Sequence, residues 1–160
     1  YDSTPVCGID LFPTFAEILG EEKISQSVDG ISILPLIKQS GKLNRESIYW
    51  HYPHYHRFGY KPSGAIREGK YKLIEWYERS FFNEENPVSL FDLENDIGEK
   101  NDIANQNPQL VNELWAKLKK WRKEINAQEM TQNPNFDPNK ALFWKENVDP
   151  NNPKALGQYY

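Results

Sequence analysis

The chain has 160 residues and a formal net charge of −4, with 38% hydrophobic residues and 14% aromatics. That length fits one domain with an appended segment, and its apolar burial has to rest on a few large rings. The acidic balance, with a pI near 5.4 and a mean hydropathy of −0.79, excludes the broad positive field of a non-specific nucleic-acid binder, and no run approaches the about 18 apolar residues of a membrane-spanning helix.

Taken in chain order, the first predicted element is a helix running to Leu19 and closed by Gly20. Asp10 reads as its cap or first-turn carboxylate, and Pro13 is tolerated in a first turn because its missing N–H had no partner there. Phe12, Phe15, Ile18 and Leu19 recur at helical spacing on one face. After the Asp29–Gly30 turn, residues 33–39 predict a second short helix that Ser40 and Gly41 end. Residues 47–52 are rich in aromatic and β-branched side chains and predict a strand, which Pro53 stops. Residues 64–67 and 71–76 flank Glu68, Gly69 and Lys70, a hairpin with Gly where positive φ is needed. Residues 88–93 supply one more strand.

Asn107 and Pro108 open the clearest helix, predicted over 108–127. Leu110, Val111, Leu114, Trp115, Leu118, Trp121 and Ile125 recur at three- and four-residue steps, opposite Glu113, Lys117, Lys120 and Glu124. The expectation is an α+β fold: a small four-stranded antiparallel sheet packed against a long C-terminal helix. From Gln128 onward the composition turns to Asn and Pro, which predicts an extended tail over 128–160. The domain organisation expected is a helical segment 1–45, the sheet and helix over 46–127, and the tail.

All three histidines, His51, His54 and His56, lie within six residues, interleaved with Trp50, Tyr52, Tyr55 and Arg57. A loop projecting imidazoles beside a guanidinium binds an anionic group or stacks on a sugar face, so His51, His54, His56 and Arg57 are the candidate substrate-binding residues. The plainer alternative is a strand end whose rings pack between the sheet and another domain. Zinc is a third possibility, because His is a common nitrogen donor, but past Pro53 the spacing does not make three ligands converge.

Other groups carry less. The acidic run Asp92, Glu94, Asp96, Glu99 and Asp102 fails the EF-hand register: counted from Asp92 the required Gly comes one place late, at Gly98, and Ile103 stands where a bidentate Glu belongs. It reads as a solvated turn in which Asp96 and Glu99 fix the connection to the last helix. Arg67 could hold a sulfate or carboxylate bidentately, or form an interdomain salt bridge. Glu75 has no partner carboxylate for acid–base work, and Trp115 and Trp121 read as core. One cysteine, Cys7, forms no internal disulfide and leaves the redox compartment open.

The order of these motifs resembles a known family. Ile9 to Gly20 with Asp10, Pro13 and Thr14, then Asp29–Gly30, then Ala65, Ile66 and Arg67 with Tyr71, Lys72 and Leu73, then Leu90 to Leu93 with Asp96 and Glu99, is similar to the C-terminal part of the type I sulfatases of the alkaline phosphatase superfamily. The resemblance runs from about Ser3 to about Asp137. It implies the last third of a larger hydrolase, docked on an α/β catalytic domain that lies N-terminal to it and is its partner. The parent would hydrolyse sulfate esters of a small molecule or glycan with calcium and a formylglycine made from a Cys or Ser in Cys/Ser-x-Pro-x-Arg. Cys7, followed by Gly8, Ile9 and Asp10, lacks that Pro and Arg, so no catalytic residue and no metal ligand is expected in this segment, which alone would be inactive. The resemblance also points to a periplasmic or secreted location. Two other functions stay open: a non-catalytic carbohydrate-binding or interaction module, and a phosphate or phosphonate ester hydrolase of the same superfamily.

Overall fold

The computed structural model describes residues 3–21, 27–55, 61–131 and 133–135. Among them are four strands, β1 (Ser47–Tyr52), β2 (Ser63–Glu68), β3 (Tyr71–Trp76) and β4 (Val88–Asp92), and four helices, α1 (Leu11–Ile18), α2 (Leu34–Ile37), α3 (Tyr77–Phe81) and α4 (Pro108–Glu124). The strands form one antiparallel sheet in the order β1-β2-β3-β4. The α+β architecture expected from the sequence is therefore present, with α4 laid on one face of the sheet. No helix among the described residues is long and apolar enough to cross a membrane.

Register explains the core. Tyr49 lies opposite Ile66, Ile66 opposite Leu73, and Leu73 opposite Leu90, so one row of side chains crosses all four strands on the same face. Val111, Leu114 and Leu118 of α4 cover that row and are buried with Ile66, Leu73, Val88 and Leu90. Tyr49 stacks on Trp121 at 4.9 Å between ring centroids, which ties the edge strand to the end of the helix. Gly69 takes φ +55° in the β2–β3 turn, the backbone region a tight hairpin requires.

The free side of β4 is blunted by the acidic stretch. The Asp102 carboxylate accepts the Leu90 N–H at 3.0 Å, and the Ile103 N–H donates to the Leu90 carbonyl at 2.9 Å, so this edge offers little to another strand. The Asp96 carboxylate accepts the N–H groups of Lys100 and Asn101, and Glu99 pairs with Lys72 at 2.7 Å. These carboxylates shape the connection to α4, as the residue pattern implied.

Two elements depart from expectation, and one residue does more than expected. Helix α4 ends at Glu124, short of residue 127, because Asn126 adopts φ +50° and the Ala127 N–H turns back to the Arg122 carbonyl, a left-handed stop that Asn tolerates. Helix α3, at five residues, is too short to show a helical period and was not anticipated. Asp10 caps no N–H of α1 but is the first-turn carboxylate of the 3-10 turn Gly8–Asp10 that leads into it, as the sequence allowed; beyond that, its fully buried carboxylate accepts the N–H groups of Cys7 and Ile31 and a two-pronged bond from Arg45 at 2.6 and 2.8 Å. Thr14, also buried, donates to the Asp10 carbonyl and accepts the Ile33 N–H. Thus α1 buries its polar side on the following segment, and its apolar side, with Phe12, Phe15, Ile18 and Leu19, is exposed; Leu19 is 82% accessible.

Candidate functional site

The histidine loop leaves β1 at the end of the sheet beyond the Tyr49 row. His51 lies opposite Gly64, Gly64 opposite Glu75, and Glu75 opposite Val88. This next row carries two polar groups, His51 and Glu75, beside Gly64 and the core residue Val88. Its space is filled by Tyr77, the first residue of α3, whose ring packs at 5.3 Å from that of His51. A glycine is required beneath it, since a Cβ at position 64 would meet the Tyr77 hydroxyl at 2.1 Å.

From this row runs a connected polar network. The Glu75 carboxylate, 3% accessible, is paired with the Arg122 guanidinium of α4. Arg122 lies 4.8 Å over the Tyr77 ring, and its Nε approaches the Glu129 carboxylate at 3.3 Å. The Tyr77 hydroxyl sits 2.6 Å from His51 Nδ1, and His51 Nε2 sits 2.7 Å from the Gln128 carbonyl oxygen. A carbonyl only accepts, so Nε2 carries the proton, and Nδ1 accepts the Tyr77 O–H. Burial pushes the Tyr77 phenol up to about 12, with the Arg122 cation pulling the other way. Tyr77 is therefore a neutral donor at any ordinary pH. Burial disfavours the Arg122 cation, but the Glu75 carboxylate and Tyr77 outweigh it and raise the guanidinium further above its usual range.

The predicted site residues thus separate. His51 is half-buried and held through both ring nitrogens. His54 is exposed, its ring edge-on to Tyr52 at 5.6 Å and 84°. His56 and Arg57 lie outside the described residues. The two ends of the loop meet on one side chain: Tyr55 donates its hydroxyl to Glu78 Oε1 at 2.5 Å, and Lys61 lies 3.5 Å from Glu78 Oε2. Burial and this carboxylate together raise the Tyr55 phenol well above its usual range.

Sequence reasoning found the histidines and missed Tyr77 and Glu78, because they act from α3. The signal available was the amphiphilic Tyr77–Phe82 run directly after a strand. Arg67, opposite Lys72 in the hairpin, donates to the Gly69 carbonyl of its own turn. Among the described residues no three His, Cys, Asp or Glu side chains gather as a metal ion would need.

The profile of the family described as N-sulphoglucosamine sulphohydrolase, C-terminal, matches residues 2–125. A sulfatase of Formosa agariphila is 30% identical over 134 residues, which cover 74% of this chain and 23% of the relative. Arylsulfatase K of Xenopus laevis is 29% identical over 119 residues, covering 73% of this chain and 22% of that protein. The chain therefore spans about a quarter of the length of the curated relatives it matches. Among solved structures, BT4656 in complex with its substrate D-glucosamine-2-N,6-O-disulfate superposes with a TM-score of 0.57 at 28% identity, over 73% of this chain and 24% of that one.

Proposed function

Because the chain belongs to the N-sulphoglucosamine sulphohydrolase C-terminal family, we propose that the whole protein is a sulfatase acting on a sulfated carbohydrate and that this segment completes its substrate cleft. The observation that carries the proposal is the family match laid over a sheet whose first strand feeds the His51–Arg57 loop. A sulfated glucosamine as the substrate of a structural relative supports the carbohydrate class.

In this proposal His54, His56 and Arg57 face the leaving-group side of the cleft. Imidazole N–H groups donate to sugar hydroxyls, and a guanidinium holds a sulfate or carboxylate bidentately. His51, with both nitrogens engaged inside the chain, anchors the loop. Residues 1–45 bridge to the catalytic domain, and the apolar side of α1 packs against it. An exposed row of Leu11, Phe12, Phe15, Ile18 and Leu19 is what such a contact leaves behind, and it speaks against an autonomous binding module.

Calcium and formylglycine are proposed for the part of the protein outside this chain. The residues present fit neither group: Cys7 is followed by Gly8, Ile9 and Asp10, and its backbone N–H bonds to Asp10. When bound, calcium offsets charge on the sulfate oxygens. The test is sulfate release from sulfated oligosaccharides by the whole protein, against phosphate release from the matching phosphate esters. His54→Ala and His56→Ala should raise KM or lower kcat/KM; unchanged values for both remove the loop's role.

A further inference from the structure

Beside the stem of the histidine loop lies a cavity of about 290 Å³ lined by Lys61, Trp76, Glu78, Arg79, Phe82 and Glu84. Its size is at the small end of ligand sites and gives room for about one sugar ring. We propose that it is a subsite for an uncharged ring of the glycan chain, next to the sulfated unit that the loop contacts. The proposal rests on the sulfated-glycan function and adds a second contact to it.

Three properties of the cavity point to that ligand. It has an aromatic wall: Trp76 is held by an indole N–H bond to Ser89 Oγ at 3.0 Å, and Phe82, 59% accessible, stands edge-on to Phe81. Such faces take the C–H side of a pyranose. Its charges balance, Lys61 and Arg79 against Glu78 and Glu84, so it has no net pull on a sulfate. Paired donors and acceptors suit hydroxyl groups, each of which gives one hydrogen bond and takes others. Among the described residues Glu84 makes no side-chain hydrogen bond and Arg79 spends only Nη1, on the Asn86 carbonyl at 3.1 Å.

Placement supplies the third property. Lys61 and Glu78 line the cavity and also close the loop, through the Lys61–Glu78 contact at 3.5 Å and the Tyr55–Glu78 bond at 2.5 Å. A ring in the cavity is therefore next to the loop stem, as successive units of one chain require. The net charge of the four groups makes the neighbouring unit, not this one, the sulfated one.

The whole protein carrying this chain is applied to an array of oligosaccharides, each in sulfated and desulfated form, and compared with Phe82→Ala and Glu84→Gln. Binding of chains longer than one ring should persist after desulfation and fall about tenfold in each variant. Glu84→Gln is an isosteric surface change, so its result stands even if Phe82→Ala fails to fold. Variants that bind every chain as the parent does overturn the subsite, and so does a parent that binds no desulfated chain. A parent that binds desulfated chains yet releases sulfate from none of the sulfated ones leaves the subsite standing and removes the sulfatase function.

Discussion

The Cβ that Gly64 lacks would lie 2.1 Å from the Tyr77 hydroxyl and 2.9 Å from its Cζ, so strand β2 is kept bare where α3 sets its first ring. That ring is what links His51 to Arg122. Gly64→Ala should therefore cost about 1–3 kcal/mol of stability through overpacking and release His51 from Tyr77. Adding Tyr77→Phe removes the nearer clash and should recover part of the loss. Thermal unfolding of the parent and the two variants checks this; equal stability of Gly64→Ala and the parent would show that Tyr77 moves freely.

Asp10 and Arg45 form the other buried pair, with side chains 0% and 13% accessible. Arg45→Ala leaves a carboxylate without its cation and should cost about 3–5 kcal/mol. Burial alone would raise the Asp10 carboxyl, but Arg45 and the N–H groups of Cys7 and Ile31 outweigh it and hold it below the usual range. A group depressed in the folded state stabilises above its unfolded value of about 3.9, and the contribution is lost as pH falls through the folded value. Melting temperature should then hold from about pH 7 to 5 and fall below about pH 4. Glu68, lowered by Lys117 and Ser47 against its burial, shares that slope, so Asp10→Asn should remove only part of it.

Replacing Glu75 by Ala strands the Arg122 cation and should cost about 3–5 kcal/mol, whereas Glu75→Leu with Arg122→Met should cost much less. If the double variant keeps stability but the whole protein loses affinity for the proposed glycan substrate, the network serves to hold Tyr77 and His51. Melting and KM measured on the parent, Glu75→Ala and the double variant separate the two roles.

Leu118, fully buried on the sheet-facing side of α4, should cost about 2–5 kcal/mol when cut to Ala. Phe15 of α1, 58% accessible, should matter little to the stability of the isolated chain. Phe12→Ser with Phe15→Ser should reduce self-association of the isolated 160-residue chain and lower the melting temperature of the whole protein. Sedimentation and calorimetry check the pair; a whole protein unaffected by both substitutions would leave the α1 face without a partner.

Gly30 is the sharpest local constraint in the N-terminal part, because a Cβ there would lie 2.0 Å from the Ile9 carbonyl oxygen. Gly30→Ala should therefore shift backbone, not a side-chain tip, and unfold this part at a lower temperature than Gly64→Ala unfolds the sheet. Hydrogen exchange at the Ile31 and Ile33 amides reports it directly.

By itself the sequence determined the four strands, the long helix and the family resemblance, because each rests on local periodicity, turn chemistry and motif order within a few residues. Strand β1 fell where its aromatic and β-branched run and Pro53 put it, and α4 where Leu114 and Leu118 recur. It also determined where the histidines cluster. Only the tertiary structure decided what they touch: His51 meets Tyr77 across two strands and Gln128 across 77 positions, and both loop ends meet Glu78 from a helix too short to announce itself. Asp10 reads as a cap or first-turn carboxylate, which it is for the Gly8–Asp10 turn, but only the fold makes it the acceptor for Arg45, 35 positions away. Side-chain spacing along the chain reveals which face a residue is on. What lies against that face is decided by how distant elements pack.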